Sequence, residues 1–182
     1  YDVVISLKPR VTRASFDGVE RLCAIGRCGV GYDNVDLVAC TDNDIAVYIT
    51  PEGVIRPMAE SILLFVLALS HNLVGKDRMV RQGRWVESTR TLGRQPRDRV
   101  IGSIGMGNIA REAFRLLRGV GAGRLIAYDP YAAGGDFEAV SFDDVFRLSD
   151  YVLVNCPLTP ETRGLIGARE FALMKPQAFF IN

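Results

Sequence analysis

Gly105, Gly107 and Ala110 stand in the spacing GxGxxA within RVIGSIGMGNIAREAF, after the apolar run Val100–Ile104 and before a helical pattern. A strand that turns sharply into a helix at such glycines brings its backbone close to a pyrophosphate, and a small residue at 110 lets helix and strand pack tightly. The helix N-terminus adds unpaired N–H groups and a partial positive charge. Asp129 ends the next apolar run, 19 positions after Ala110. About 20 is the spacing at which an acidic residue accepts from both ribose hydroxyls of NAD, and its charge would repel a 2′-phosphate. A bare turn and an Asp-Pro turn are the plainer readings of these residues. Strand, turn, helix, strand and acid in register favour a dinucleotide site, with NAD preferred over NADP.

A second glycine-rich turn, GRCGVGYDNVD over 26–36, also follows an apolar run. Backbone N–H groups at Val30 and Gly31 can form a small anion nest beside the fixed charge of Arg27, and a carboxylate is the natural guest. A tight turn in which Asp33 and Asn34 satisfy local backbone groups remains the alternative on these residues alone. Cys23, Cys28, Cys40 and Cys156 form no CxxC pair, and His71 is the single histidine. Structural zinc is therefore not expected, and reduced, mostly buried thiols in a cytoplasmic protein are. No base stands near Cys156 in sequence to make it a nucleophile. His71, past the apolar part of a long helical stretch, reads as a surface or helix-end residue rather than an acid–base catalyst.

The elements that must position these residues are short apolar runs at 2–7, 23–29, 45–50, 99–105, 124–129 and 151–156, with Ala178–Ile181 at the end. Helical patterns lie near Ser15–Arg21, Asn108–Arg118, Phe142–Leu148 and Ala168–Met174. Continuously apolar strands separated by helices predict an α/β chain with parallel sheets covered on both faces. From Pro57 to Gln82 the helical pattern runs unusually long, and it predicts a buried helix joining two lobes. Glu87–Arg99 has little apolar content and reads as a loop. With 22 basic and 21 acidic residues among 182, the net charge of +1 argues against nucleic acid or an anionic membrane as partner. The longest wholly apolar run, Ile62–Leu69, is far shorter than the roughly 18 residues a bilayer span requires. No basic-then-apolar leader follows Tyr1.

RCGVGYDNVDL, TPEGVIRPMAES, IGSIGMGNIA, AYDPY, NCPLTPETRGLIG and ALMKPQAFFIN, in that order, resemble the D-isomer-specific 2-hydroxyacid dehydrogenases, the group that includes D-3-phosphoglycerate dehydrogenase and glyoxylate reductases. The resemblance implies two Rossmann-like or flavodoxin-like lobes. A partial substrate domain is expected over 1–75, long helix included, and an NAD-binding Rossmann domain over 76–182, truncated at its carboxyl side. It implies that Val30 and Gly31 receive the substrate carboxylate with Arg27 as helper, and that Gly105, Met106, Gly107, Asn108 and Ile109 hold the pyrophosphate. Tyr128, Asp129 and Pro130 would flank the adenosine ribose, with Cys156, Pro157 and Thr162 along the cofactor. The implied chemistry is hydride transfer between NAD and C2 of a small 2-hydroxyacid or 2-oxoacid. The family's catalytic arginine, glutamate and histidine fall beyond Asn182, so no catalytic residue is assigned and the chain reads as incomplete at both ends. An NAD-sensing binding module without catalysis is the second reading. The broad apolar surface of 57–73 predicts a homodimer.

Overall fold

A computed structural model describes residues 1–132 and 134–182. In chain order the elements are β1 (Val3–Ser6), a 3₁₀ turn (Arg13–Phe16), β2 (Ala24–Arg27), α1 (Leu37–Asp42), β3 (Ala46–Ile49), α2 (Glu52–Ser70), α3 (Leu73–Arg81) and α4 (Trp85–Arg90). They continue with β4 (Val100–Ile104), α5 (Asn108–Gly119), β5 (Arg124–Tyr128), β6 (Glu138–Ala139), α6 (Phe142–Leu148), β7 (Tyr151–Val154), α7 (Ala168–Leu173) and β8 (Phe179–Ile181). The chain forms two units, one of Tyr1–Ile55 with Pro157–Arg163, the other of Arg56–Cys156 with Gly164–Asn182.

In the first unit β1, β2 and β3 form a parallel sheet in that order, with Ser6 opposite Arg27 and Arg27 opposite Ile49. Phe16, Ile25, Val35, Ala39, Cys40 and Ile45 make its core. Asp36 caps α1 by accepting from the Ala39 amide at 2.9 Å, the bond an N-cap carboxylate is suited to make. The helix expected over Ser15–Arg21 is only the 3₁₀ turn, because Gly18 enters the left-handed region at φ +71° and stops it.

The second unit carries five parallel strands in the order β6-β5-β4-β7-β8. Ile101, Leu125, Ala127, Tyr151 and Leu153 pack against Ala110, Ala113, Phe114 and Leu117 of α5 and against Ala59, Ile62 and Val66 of α2. Ile104, Val145, Phe146 and Val152 form a separate cluster with α6. Tyr151 is fully buried, so its hydroxyl must find a partner inside, and it meets Ser70 Oγ at 2.7 Å. That bond fixes the end of α2 against β7.

Other expectations are corrected as well. The long helical stretch is two helices, broken at Asn72, which takes the left-handed conformation (φ 49°) that asparagine tolerates. Residues Arg56–Cys156 belong to the second unit, so the chain first divides well before residue 75, because one face of α2 supplies core to that unit. Finally, α2 is not buried all round. Ala59, Ile62, Val66 and Ser70 are inside, while Met58, Leu64 and Phe65 are exposed. Over its 19 residues α2 is also long and apolar enough, by length and composition, to cross a membrane, which the Ile62–Leu69 run alone did not suggest. The stretch read as a loop over Glu87–Arg99 begins inside α4, which Ser88 Oγ steadies by donating to the Trp85 carbonyl at 2.6 Å.

Candidate dinucleotide and carboxylate sites

In the second unit the chain leaves β4 for β5 on one side and later returns to place β7 on the other. The carboxyl end of β4 is therefore a topological switch point, where open parallel sheets bind ligands. Register sets what lies there. Ile104 is opposite both Tyr128 and Val154, so the next positions, Gly105, Asp129 and Asn155, emerge side by side.

Gly105 sits at φ +88°, and a Cβ on it would fall 2.7 Å from the Cys156 amide nitrogen. Only glycine fits. Its own N–H donates to the Tyr128 carbonyl at 2.9 Å. Gly107 precedes α5 with open space where a side chain would stand, and no side chain caps the helix. The amides of Asn108, Ile109 and Ala110 have no acceptor among the described residues, and the first turn holds no acidic residue. Free N–H groups, helix dipole and clear space fit an incoming phosphate group.

Asp129 accepts from the Met106 amide at 2.7 Å through Oδ2 and from the Tyr131 amide at 2.8 Å through Oδ1. The carboxylate thereby stands against the glycine loop. Met106 itself is placed otherwise than a ligand contact would be, since its side chain is in the core and its amide is engaged by Asp129. Tyr128 stacks edge-on against Phe142 at 5.4 Å, and Pro130 is exposed. Burial pushes the Cys156 thiol up, a backbone hydrogen bond draws it partly back, and the Asp129 charge adds to the rise. A protonated thiol is a wall, not a nucleophile.

Two residues that the sequence reading passed over complete this loop. Ser103 Oγ, fully buried, donates to the Gly105 carbonyl at 2.7 Å and accepts from Asn155 Nδ2 at 2.9 Å. A lone polar residue inside the apolar strand Val100–Ile104 was the available clue, because buried hydroxyls are bonded to something specific.

In the first unit, Cys28 donates to the Ser6 carbonyl at 3.1 Å, and Gly29 and Thr50 exchange bonds of 2.9 and 3.1 Å. These hold the turn after β2. The amides of Val30 and Gly31, both exposed, have no acceptor among the described residues. Arg27 donates through Nε to Asn34 Oδ1 at 3.3 Å and through Nη1 to the Cys28 carbonyl, and it has no carboxylate partner among the described residues. An uncompensated guanidinium beside two free amides suits an anion. Thr162 Oγ1 donates to the Pro157 carbonyl at 2.6 Å and accepts from the Thr159 amide at 2.8 Å, so its hydroxyl is engaged within its own turn. His71 is exposed between α2 and α3.

Surface shape alone would point elsewhere. An apolar cleft of about 510 Å³ in the second unit is lined by Phe65, Leu69, Leu92, Phe179 and Asn182, and none of the predicted site residues lines it.

Residues 63–182 match the model of the D-isomer specific 2-hydroxyacid dehydrogenase, NAD binding domain. The chain belongs to that family. A D-3-phosphoglycerate dehydrogenase of Methanocaldococcus jannaschii is 32% identical over 186 aligned positions, which cover 99% of this chain and 35% of that protein. The chain thus spans about a third of the length of the curated relatives it matches. Among solved structures, a D-2-hydroxyisocaproate dehydrogenase superposes with a TM-score of 0.88 at 29% identity, over all of this chain and 57% of the other. An NAD-dependent formate dehydrogenase from Staphylococcus aureus, in complex with NAD, gives 0.88 at 28%, over all of this chain and 56% of the other. The fold is that of these dehydrogenases, and NAD is the cofactor of the matched domain.

Proposed function

We propose that the protein is an NAD-dependent oxidoreductase that transfers a hydride between NAD(H) and C2 of a small D-2-hydroxyacid or 2-oxoacid. The observation that carries this reading is the row of free amides at Asn108, Ile109 and Ala110, set beside Asp129 at the switch point of a sheet in the family's NAD-binding domain. In this reading the segment Gly105–Ile109 receives the pyrophosphate, Met106 serving through its place in the turn rather than its side chain. Asp129, flanked by Tyr128 and Pro130, takes the adenosine ribose, and Cys156, Pro157 and Thr162 line the cofactor. NAD, when bound, supplies the hydride acceptor. Val30 and Gly31 hold the substrate carboxylate and Arg27 neutralises it. The first unit is the substrate lobe.

The apolar face of α2, with Leu64 57% and Phe65 51% exposed, supports a homodimer built on the second unit. Four free cysteines support a reducing, cytoplasmic location, and near-zero net charge supports small molecules rather than nucleic acid or a membrane surface as partners. The test is loss of NADH absorbance when the full-length protein meets glyoxylate, hydroxypyruvate and phosphohydroxypyruvate. Turnover of at least one is expected. Binding of NAD with no turnover across a broad 2-oxoacid panel would replace the enzyme with a nucleotide-sensing module.

A further inference from the structure

The Gly105–Met106 peptide unit is gripped on both sides. In a trans peptide the carbonyl and the N–H point in opposite directions, so a bond to each resists the same rotation of the peptide plane. Here the carbonyl accepts from Ser103 Oγ at 2.7 Å, while the N–H donates to Asp129 Oδ2 at 2.7 Å. A hydroxyl has one proton to give. Ser103 gives it to Gly105 and offers a lone pair to Asn155 Nδ2 at 2.9 Å. Asn155 is anchored in turn, its own amide donating to the Ile104 carbonyl at 2.8 Å. Ser103 has no solvent exposure, so water cannot substitute for either bond.

We propose that Ser103 and Asn155 are positioning residues for the dinucleotide phosphates. They and Asp129 clamp one peptide, and the clamp fixes the direction in which the following amides, Gly107 to Ile109, face. The inference rests on the reading that Gly105–Ile109 receives the pyrophosphate. It adds that the carboxylate assigned to the ribose also shapes the phosphate loop. Removing the Ser103 hydroxyl leaves the Gly105 carbonyl without its buried donor, and the peptide turns to find another.

The experiment is calorimetric titration of the full-length protein with ADP-ribose, which carries the pyrophosphate, and with adenosine, which carries no phosphate. Wild type, S103A, S103T and N155A are compared, with unfolding midpoints recorded for each. S103A is expected to weaken ADP-ribose binding about tenfold and N155A severalfold. S103T, which keeps the hydroxyl, should return most of the affinity, and adenosine binding should stay level throughout. Wild-type ADP-ribose affinity in folded S103A and N155A overturns the proposal, as does equal weakening for ADP-ribose and adenosine. Should S103A fail to fold, N155A, at a partly exposed position, decides by the same comparison. Failure of the wild type to bind ADP-ribose would instead overturn the pyrophosphate reading on which the proposal stands.

Discussion

At Gly105 two requirements coincide. The residue occupies φ +88°, and a methyl group there would press on the backbone of Asn155 and Cys156 at 2.7–2.9 Å. Gly105→Ala should therefore cost roughly 2–4 kcal/mol of stability, strain and backbone clash together, and abolish NAD binding; denaturant midpoints and a nucleotide titration check both. A variant of wild-type stability would mean that the β7 end moves aside freely. The glycine turn and the place of Asp129 beside it were legible in the sequence because both depend on spacing along the chain, and spacing is what a sequence records. Ser103 and Asn155 were not, since their bond joins positions 52 apart and arises from the pairing of β4 with β7. Met106 sits within the motif, yet its side chain went to the core, because a string of residues does not say which way each one faces.

Among the elements, α2 and α5 are linked by charge as well as by core. Arg56 on α2 donates to Glu112 on α5 at 2.9 Å, and Arg115 reaches the same carboxylate at 2.7 Å. Hydrogen bonds from Arg115 and then Arg56 hold the Glu112 carboxyl at about 2, below its ordinary 4.5. A carboxyl depressed in the folded state stabilises fully above its unfolded value, and that contribution disappears as the folded value is reached from above. Stability contributed by Glu112 should thus be complete above about pH 4.5 and fade as pH falls toward 2. Glu112→Gln should match the wild type near the bottom of that range and fall below it above the range, as thermal midpoints across a pH series would reveal. Parallel midpoint curves at every pH would rule the link out. Every strand but β6, and most helices, were readable because those strands are mostly apolar and each crossover helix keeps its period, whereas β6 is only Glu138–Ala139. The break at Asn72 was not, because the apolar pattern runs on past it and only the backbone conformation marks the turn. The end of α4, Glu87–Arg90, was hidden by its polar composition, its order coming from local bonds such as that of Ser88 rather than from a buried stripe.

For the whole molecule the outward face of α2 matters most. Its outward residues Met58, Leu64, Phe65 and Leu69 are exposed beside a core-facing stripe, and Trp85 and Val86 of α4 are exposed as well. In the dimer proposed above, this face meets its copy. Light scattering of the full-length protein should give twice the chain mass, and the pair Leu64→Asp with Phe65→Asp should give the single mass with the fold intact. A wild-type protein of single mass would remove the dimer. The same bare face also governs how the chain behaves as a colloid. With 22 basic and 21 acidic residues, molecules near neutral pH repel one another weakly, so charge does little to keep apolar faces apart. Lowering the salt therefore gains little solubility, and in the proposed dimer it is the occupation of each α2 face in one defined way that keeps copies of this chain from sticking at random.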